Sequence, residues 1–313
     1  MNHSMTTILI TGVTGFIGAR YAKRARQRGW RVIGTDLPVG DREGSCDEYL
    51  SLDLSAPDAL LALEALPQAE IILHAGGVSG FMVATDRPRH IVDVNIGGSL
   101  PIFLLSHKWQ VRRTVMCSTM MVYGSDAKAG VVHDEAEYPA PISVYGASKV
   151  AVEALMHGFN GQYGTDIVAI RPGLVYGPGR TTQCFVRDML QAVHNGIRCE
   201  IPQTGSSWRQ YVHVDDICES IDCCFAVTDP AERVFNITGA EIHTLREVAA
   251  MISGSIGPLD ITFRDEIDLP NYRIGELSNR RARDVLGYAP AISLEAGLRS
   301  YWTECFTPGA PGS

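Results

Sequence analysis

Residues Ile8–Arg20 read "ILITGVTGFIGAR", and this stretch decides the fold. An apolar, β-branched run leads into Gly12, Gly15 and Gly18, and helical periodicity follows from Phe16. A strand that ends on G-x-x-G-x-x-G and opens a helix needs small residues for physical reasons. One permits the tight turn, one lets backbone N–H groups approach a pyrophosphate, and one lets helix pack on strand. Glycine-rich turns are common, so the strand before and the helix after give this spacing its meaning. Gly12, Gly15, Phe16, Ile17 and Gly18 are therefore the expected cradle of a dinucleotide.

Asp36 ends the next apolar run, "RVIGTD", eighteen residues past Gly18. A carboxylate at that register accepts hydrogen bonds from the adenosine ribose hydroxyls and repels a 2′-phosphate, which favours NAD over NADP. Arg20 and Arg42 leave a phosphate partner open.

Outward from this point, "TILIT", "RVIGTD", "EIILHA", "TVMCS" and "DIVAIRP" are short apolar runs of the kind buried on both faces of a parallel sheet. Helical patterns over 16–28, 88–108 and 145–163 separate them. The alternation predicts an α/β fold, a doubly wound Rossmann parallel sheet with a smaller C-terminal α+β substrate lobe. The expected division is 1–173 plus 211–238 for the NAD-binding part and 174–210 plus 239–306 for the lobe. Residues 307–313 read as a loose tail.

The bulk numbers exclude several partners. With 35 acidic against 27 basic residues, the net charge is −8, which offers no basic face for nucleic acid. No apolar run reaches membrane-spanning length, and the N-terminus lacks the charged and apolar regions of a signal peptide. The eight cysteines show neither C-x-x-C nor zinc-type spacing, so they read as reduced thiols of a cytoplasmic protein.

"YGASK" sets Tyr145 and Lys149 four residues apart, on one face of a helix. A lone phenol ionises too far above neutrality to be a useful base, and a fixed ammonium one turn away favours the phenolate. Upstream, "CST" ends an apolar run and supplies a hydroxyl, Thr119, able to meet the same substrate oxygen.

With these motifs in order, the chain resembles the extended short-chain dehydrogenase/reductases of the NAD-dependent epimerase/dehydratase family. The resemblance rests on "TGVTGFIG" (11–18), Asp36, "LDL" (52–54), "LHAGG" (73–77), "VNIGGS" (94–99), "STMMVYG" (118–124), "YGASK" (145–149), "RPGLVYGPG" (171–179), "YVHVDDI" (211–217) and "FNITG" (235–239). It implies Thr119, Tyr145 and Lys149 as the catalytic trio, with Tyr145 moving the hydroxyl proton. It implies Asp53 and Leu54 beside the adenine, Ala75, Gly76 and Gly77 along the cofactor, Asn95 shaping its site, and Pro172 to Leu174 beside the nicotinamide. Ser79, Met120 and Arg209 are the residues it implies toward substrate. It also implies a homodimer through the two long helices.

Relatives that dehydrate carry an acidic pair just after the catalytic hydroxyl, and decarboxylating ones a glutamate. Met120 and Met121 can supply neither acid nor base. One methionine is expected in the core and the other in the substrate pocket, because strand residues alternate. What remains is hydride and proton transfer, in a dehydrogenase or an epimerase.

Nucleotide-sugar epimerases resemble one another in an asparagine where this chain has Leu174, and in an Arg clamp that here reduces to Arg209 with Arg273. The sequence reading leans to a small sugar, sugar acid or polyol as substrate of an NAD-dependent dehydrogenase. A nucleotide-sugar 4-epimerase with bound NAD is the alternative, and a non-catalytic NAD sensor is a third, disfavoured by the Tyr145–Lys149 pair. His74 and His213 read as structural, Asp215 and Asp216 as caps of the helix they open, and Tyr123 as a phenol outside the catalytic set. Trp208 is equally suited to closing the pocket and to packing between lobes.

Overall fold

The computed structural model describes residues 5–38, 46–79, 84–124, 131–264 and 275–307. The chain opens with β1 (Thr7–Thr11), α1 (Phe16–Gln27), β2 (Arg31–Asp36), β3 (Glu48–Ser51), α2 (Ala59–Glu64), β4 (Ile71–His74), α3 (Pro88–Asn95), α4 (Leu100–Lys108) and β5 (Arg113–Cys117). It continues through β6 (Val132–His133), α5 (Val144–Tyr163), β7 (Ile167–Pro172), β8 (Leu174–Tyr176), α6 (Phe185–Asn195), β9 (Cys199–Ile201), β10 (Trp208–Arg209), β11 (Tyr211–His213) and α7 (Val214–Ala226). The last part holds β12 (Val234–Ile237), β13 (His243–Thr244), α8 (Leu245–Ser255), β14 (Ile261–Phe263), β15 (Glu276–Leu277) and α9 (Leu294–Phe306).

Seven strands form one parallel sheet in the order β12-β7-β5-β4-β1-β2-β3, so the chain reverses its direction of growth between β1 and β4. This is the doubly wound architecture expected, and ligands of such sheets sit outside the carboxyl ends of the strands at the reversal. The five apolar runs all became sheet strands, because β1, β2, β4, β5 and β7 are covered on both faces. Their core joins Ile8, Ile10, Tyr21, Val115, Ile170, Ile217 and Phe235.

The turn from β1 to α1 is built as the glycines require. Gly12 adopts φ +67°, and a Cβ at Gly18 would stand 2.0 Å from the Gly12 carbonyl oxygen.

One element differs from expectation. The helix predicted over 88–108 is two helices, α3 and α4, joined by a 3₁₀ turn at Gly97–Ser99. Pro101, in the first turn of α4, has no N–H to continue the ladder, and the Ser99 hydroxyl donates to the Asn95 carbonyl at 2.6 Å.

A second core lies in the C-terminal part, where α6, α8 and α9 pack Met189, Leu190, Leu245, Val248, Ile252 and Leu298 around Tyr176. The short pairs β9–β14 and β10–β13 edge it. Ala282, Leu286 and Tyr288 return from that part to pack into the sheet core.

Candidate active site

The site is built where β5 ends against the start of α5. Ser143 caps α5 by accepting from the Gly146 amide at 3.0 Å, which sets the helix start just ahead of Tyr145. Tyr145 and Lys149 follow one turn apart on the buried face. Gly146 makes this possible, since a Cβ there would lie 2.5 Å from the Met121 carbonyl oxygen.

At the strand end, three successive residues do three things. The Cys117 carbonyl accepts from Lys149 Nζ at 2.9 Å. The Ser118 hydroxyl donates to Glu153. Thr119 leaves the strand and caps a 3₁₀ turn over Met120–Tyr123, its hydroxyl accepting from the Met121 amide at 3.2 Å.

That turn corrects the reading of the two methionines. Alternation ends where the chain stops being a strand, so Met120 and Met121 are both nearly buried and both line the cavity. Tyr123 instead turns into the protein. Its hydroxyl donates to Asn236 and accepts from Arg171, each at 2.8 Å, and burial pushes it up to about 12.

The Lys149 ammonium makes itself felt on its neighbours. Burial, with Lys149 adding to it, drives His74 down to about 3, so that imidazole is neutral. His74 bridges Thr11 at 2.7 Å and Ser99 at 2.9 Å, a structural role. Burial raises the Cys117 thiol to about 11, with Lys149 opposing.

A cavity of about 850 Å³ runs from Gly15–Gly18 past Ala75, Gly76, Gly77 and Ser79, then Thr119, Tyr145 and Lys149. Beyond Pro172 and Leu174 it reaches Trp208 and Arg209, so Trp208 is part of its wall. Arg209 is 4% exposed and donates to the Trp208 carbonyl at 2.7 Å and to Gln203.

Five predicted residues lie outside the lining. Gly12 is under the turn, where a Cβ would meet Gly76 Cα at 2.7 Å. Asn95 is buried behind the wall, accepting from the Val78 amide at 2.8 Å and donating to Ser148 at 2.9 Å. Further along the sheet, Asp36 is the last residue of β2, and Asp53 and Leu54 follow the end of β3. The Asp36 carboxylate accepts from the Thr14 amide at 3.1 Å and its hydroxyl at 2.6 Å. Turn, carboxylate and Gly-lined wall together fit an adenine dinucleotide.

Two further expectations are corrected. Asp215 and Asp216 do not cap α7; the His213 ring does, accepting from the Asp215 amide at 3.3 Å. Asp215 instead pairs with Arg20 at 2.6 Å, and Asp216 accepts from the Ala291 and Ile292 amides at 3.0 and 3.2 Å. Arg20 also holds Glu304 at 2.7 Å, so it is engaged away from any ribose phosphate. Arg42 and Arg273 lie outside the described residues.

Sequence reading missed Arg180, Phe185, Gln210 and Leu277 in the lining. "GPGRTTQ" showed only that regularity fails there, and nothing short-range marks Gln210 or Leu277. It also missed the partners of Ser118, which are separated from it by 35 residues or more.

The chain was compared with known proteins. The model of the NAD dependent epimerase/dehydratase family matches residues 8–238. UDP-glucose 4-epimerase of Mycolicibacterium smegmatis is 30% identical over 302 residues, covering 93% of this chain and 95% of that protein. The crystal structure of UDP-glucose 4-epimerase from Thermotoga maritima with UDP-glucose superimposes with a TM-score of 0.86 at 26% identity, covering 95% of this chain and 97% of the other. That of the Thermus thermophilus UDP-glucose 4-epimerase complex with NAD gives 0.81 at 25% identity over 95% and 97%.

Proposed function

The chain belongs to the NAD-dependent epimerase/dehydratase family, and from that premise we propose that it is an NAD-dependent 4-epimerase of a nucleotide-linked sugar. The observation that carries the reading is the continuous cavity. It joins the glycine turn, the Tyr145–Lys149–Thr119 cluster and a buried arginine, Arg209, at its far end. A cofactor and a substrate that ends in an anionic group fit such a channel in line. The UDP-glucose 4-epimerases named above are similar over nearly the whole chain, which shifts the weight from the free sugar or polyol to the nucleotide-linked one.

Bound NAD supplies the hydride acceptor and donor. Its holders are the 12–18 turn, Asp36, Asp53, Leu54, Ala75–Gly77, Asn95, Lys149, Pro172 and Leu174. Tyr145 takes the proton of the substrate hydroxyl as hydride leaves that carbon, and returns it in the reverse step. Lys149 stabilises the phenolate charge while fastened to the Cys117 carbonyl. Thr119 orients the substrate oxygen, its own hydroxyl set by the Met121 amide. Met120 and Met121 offer no acid or base for elimination, so in this reading the keto sugar is reduced again, from either face.

A second reading keeps one observation of its own. Leu174 lines the cavity where nucleotide-sugar epimerases resemble one another in an asparagine, which favours a small sugar acid or polyol oxidised with release of NADH. One assay separates the two. Epimerisation converts a UDP-hexose with no net NADH, whereas dehydrogenation yields one NADH per substrate from the free sugar, acid or polyol.

The same reading includes a homodimer through α3, α4 and α5, where Val92, Leu100, Leu104 and Val144 stand exposed. It includes the division into 1–173 plus 211–238 for cofactor and 174–210 plus 239–306 for substrate. A cytoplasmic location is supported by eight free thiols and, among the described residues, no helix long and apolar enough to cross a membrane.

A further inference from the structure

Glu153 stands two turns beyond Tyr145 and one beyond Lys149, so the three share one buried face of α5. Its carboxylate is paired with Arg171 at both oxygens, Nε at 2.9 Å and Nη2 at 2.6 Å, with side chains 6% and 4% exposed. The same carboxylate accepts the Ser118 hydroxyl. Arg171 spends its remaining edge on Tyr123, which in turn donates to Asn236 of β12.

Three chain segments thus converge on one carboxylate, each next to a residue of the site. Ser118 precedes Thr119, Glu153 follows Lys149 by one turn, and Arg171 precedes Pro172. Fold stability alone does not call for this arrangement, since a buried ion pair is often no more stabilising than apolar residues of similar size. Lys149 and Glu153 thus tie Cys117, the last residue of β5, and Ser118, the residue after it, to successive turns of α5.

We propose that Glu153 and Arg171 are positioning residues, which through Ser118 fix the Thr119 hydroxyl relative to Tyr145 and Lys149. The proposal rests on the reading of Tyr145, Lys149 and Thr119 as the catalytic groups. A misplacement of about 1 Å costs on the order of 10²-fold in rate, which sets the size of effect to expect.

The experiment compares Ser118→Ala, Glu153→Gln and the double variant Glu153→Met/Arg171→Met with the intact enzyme. Each is measured for kcat, KM, melting temperature and NAD retained on purification. Ser118→Ala, with the ion pair kept, is expected to lose about 10-fold to 10²-fold in kcat at nearly unchanged KM and NAD content, its melting temperature lowered only by the loss of one buried hydrogen bond. Glu153→Gln is expected to lose both kcat and stability, because Arg171 is left without its counter-charge. The double variant is expected to regain melting temperature without regaining kcat. Recovery of kcat together with melting temperature, or full activity in Ser118→Ala, overturns the proposal. If the double variant does not fold, Ser118→Ala decides alone. Full activity in Tyr145→Phe would instead refute the catalytic assignment beneath it.

Discussion

Lys149 Nζ donates to the carbonyl oxygen of Cys117 at 2.9 Å. Helix α5 and strand β5 are thereby fastened at the point where one carries Tyr145 and the other runs out into Thr119. The ammonium keeps two donors, which the proposed mechanism assigns to the cofactor ribose and the Tyr145 phenolate. Orientation of the acid/base group is a property of the backbone join.

Tyr145→Phe removes the proposed proton-transfer group and leaves the cavity wall. Turnover should fall by about 10²-fold to 10⁴-fold, the usual contribution of a general acid/base. NAD retained on purification should be unchanged, as read by absorbance after denaturation.

Asp36 is aimed by Thr14, through its amide at 3.1 Å and its hydroxyl at 2.6 Å. Asp36→Ala should weaken NAD by about 10-fold to 10²-fold, matching the 1.5–3 kcal/mol of hydrogen bonds to a charged group. NADP should gain relative to NAD, measured by fluorescence titration of both.

Gly18→Ala adds a Cβ that would stand 2.0 Å from the Gly12 carbonyl oxygen, so α1 must withdraw from the turn. NAD occupancy and melting temperature should both drop. Gly97→Ala, where a Cβ meets nothing within 4 Å, is the control that should leave both unchanged.

His74 is held near 3 against an ordinary 6.5, by burial first and the Lys149 ammonium second. The unfolded chain therefore binds this proton before the folded one does. The stability contributed is complete above about 6.5 and declines as pH falls toward 3, by up to about 1.4 kcal/mol per pH unit. Urea unfolding from pH 7 to pH 4 should show the decline, and His74→Gln should flatten it.

Cys117 lines the cavity, yet burial raises its thiol to about 11. Iodoacetamide at pH 8 should modify it slowly and leave turnover intact, with mass spectrometry of the Cys117 peptide as the readout.

Short-range pattern carried most of the fold. β1, β2 and β7 could be read because both their faces are buried, and α5 because Tyr145 and Lys149 lie one turn apart. β3 could not, since Glu48–Ser51 is a half-exposed edge strand without the apolar run. The methionine pair was misread because alternation presumes a strand, and the strand ends at Cys117, three residues before Met120. Arg20 looked available to a phosphate because its partners, Asp215 and Glu304, are 195 and 284 residues away. Nothing short-range marks Glu153, whose partner Arg171 lies 18 residues on, in β7.

The central claim is hydride transfer to and from a nucleotide-linked sugar at a single carbon. It is tested most directly with UDP-glucose carrying deuterium at C4, incubated with the enzyme as purified and followed by NMR. The account predicts the C4 epimer with deuterium retained at C4 and no accumulation of free NADH. Loss of the label to solvent, or no epimer while a free sugar acid yields stoichiometric NADH, would contradict it.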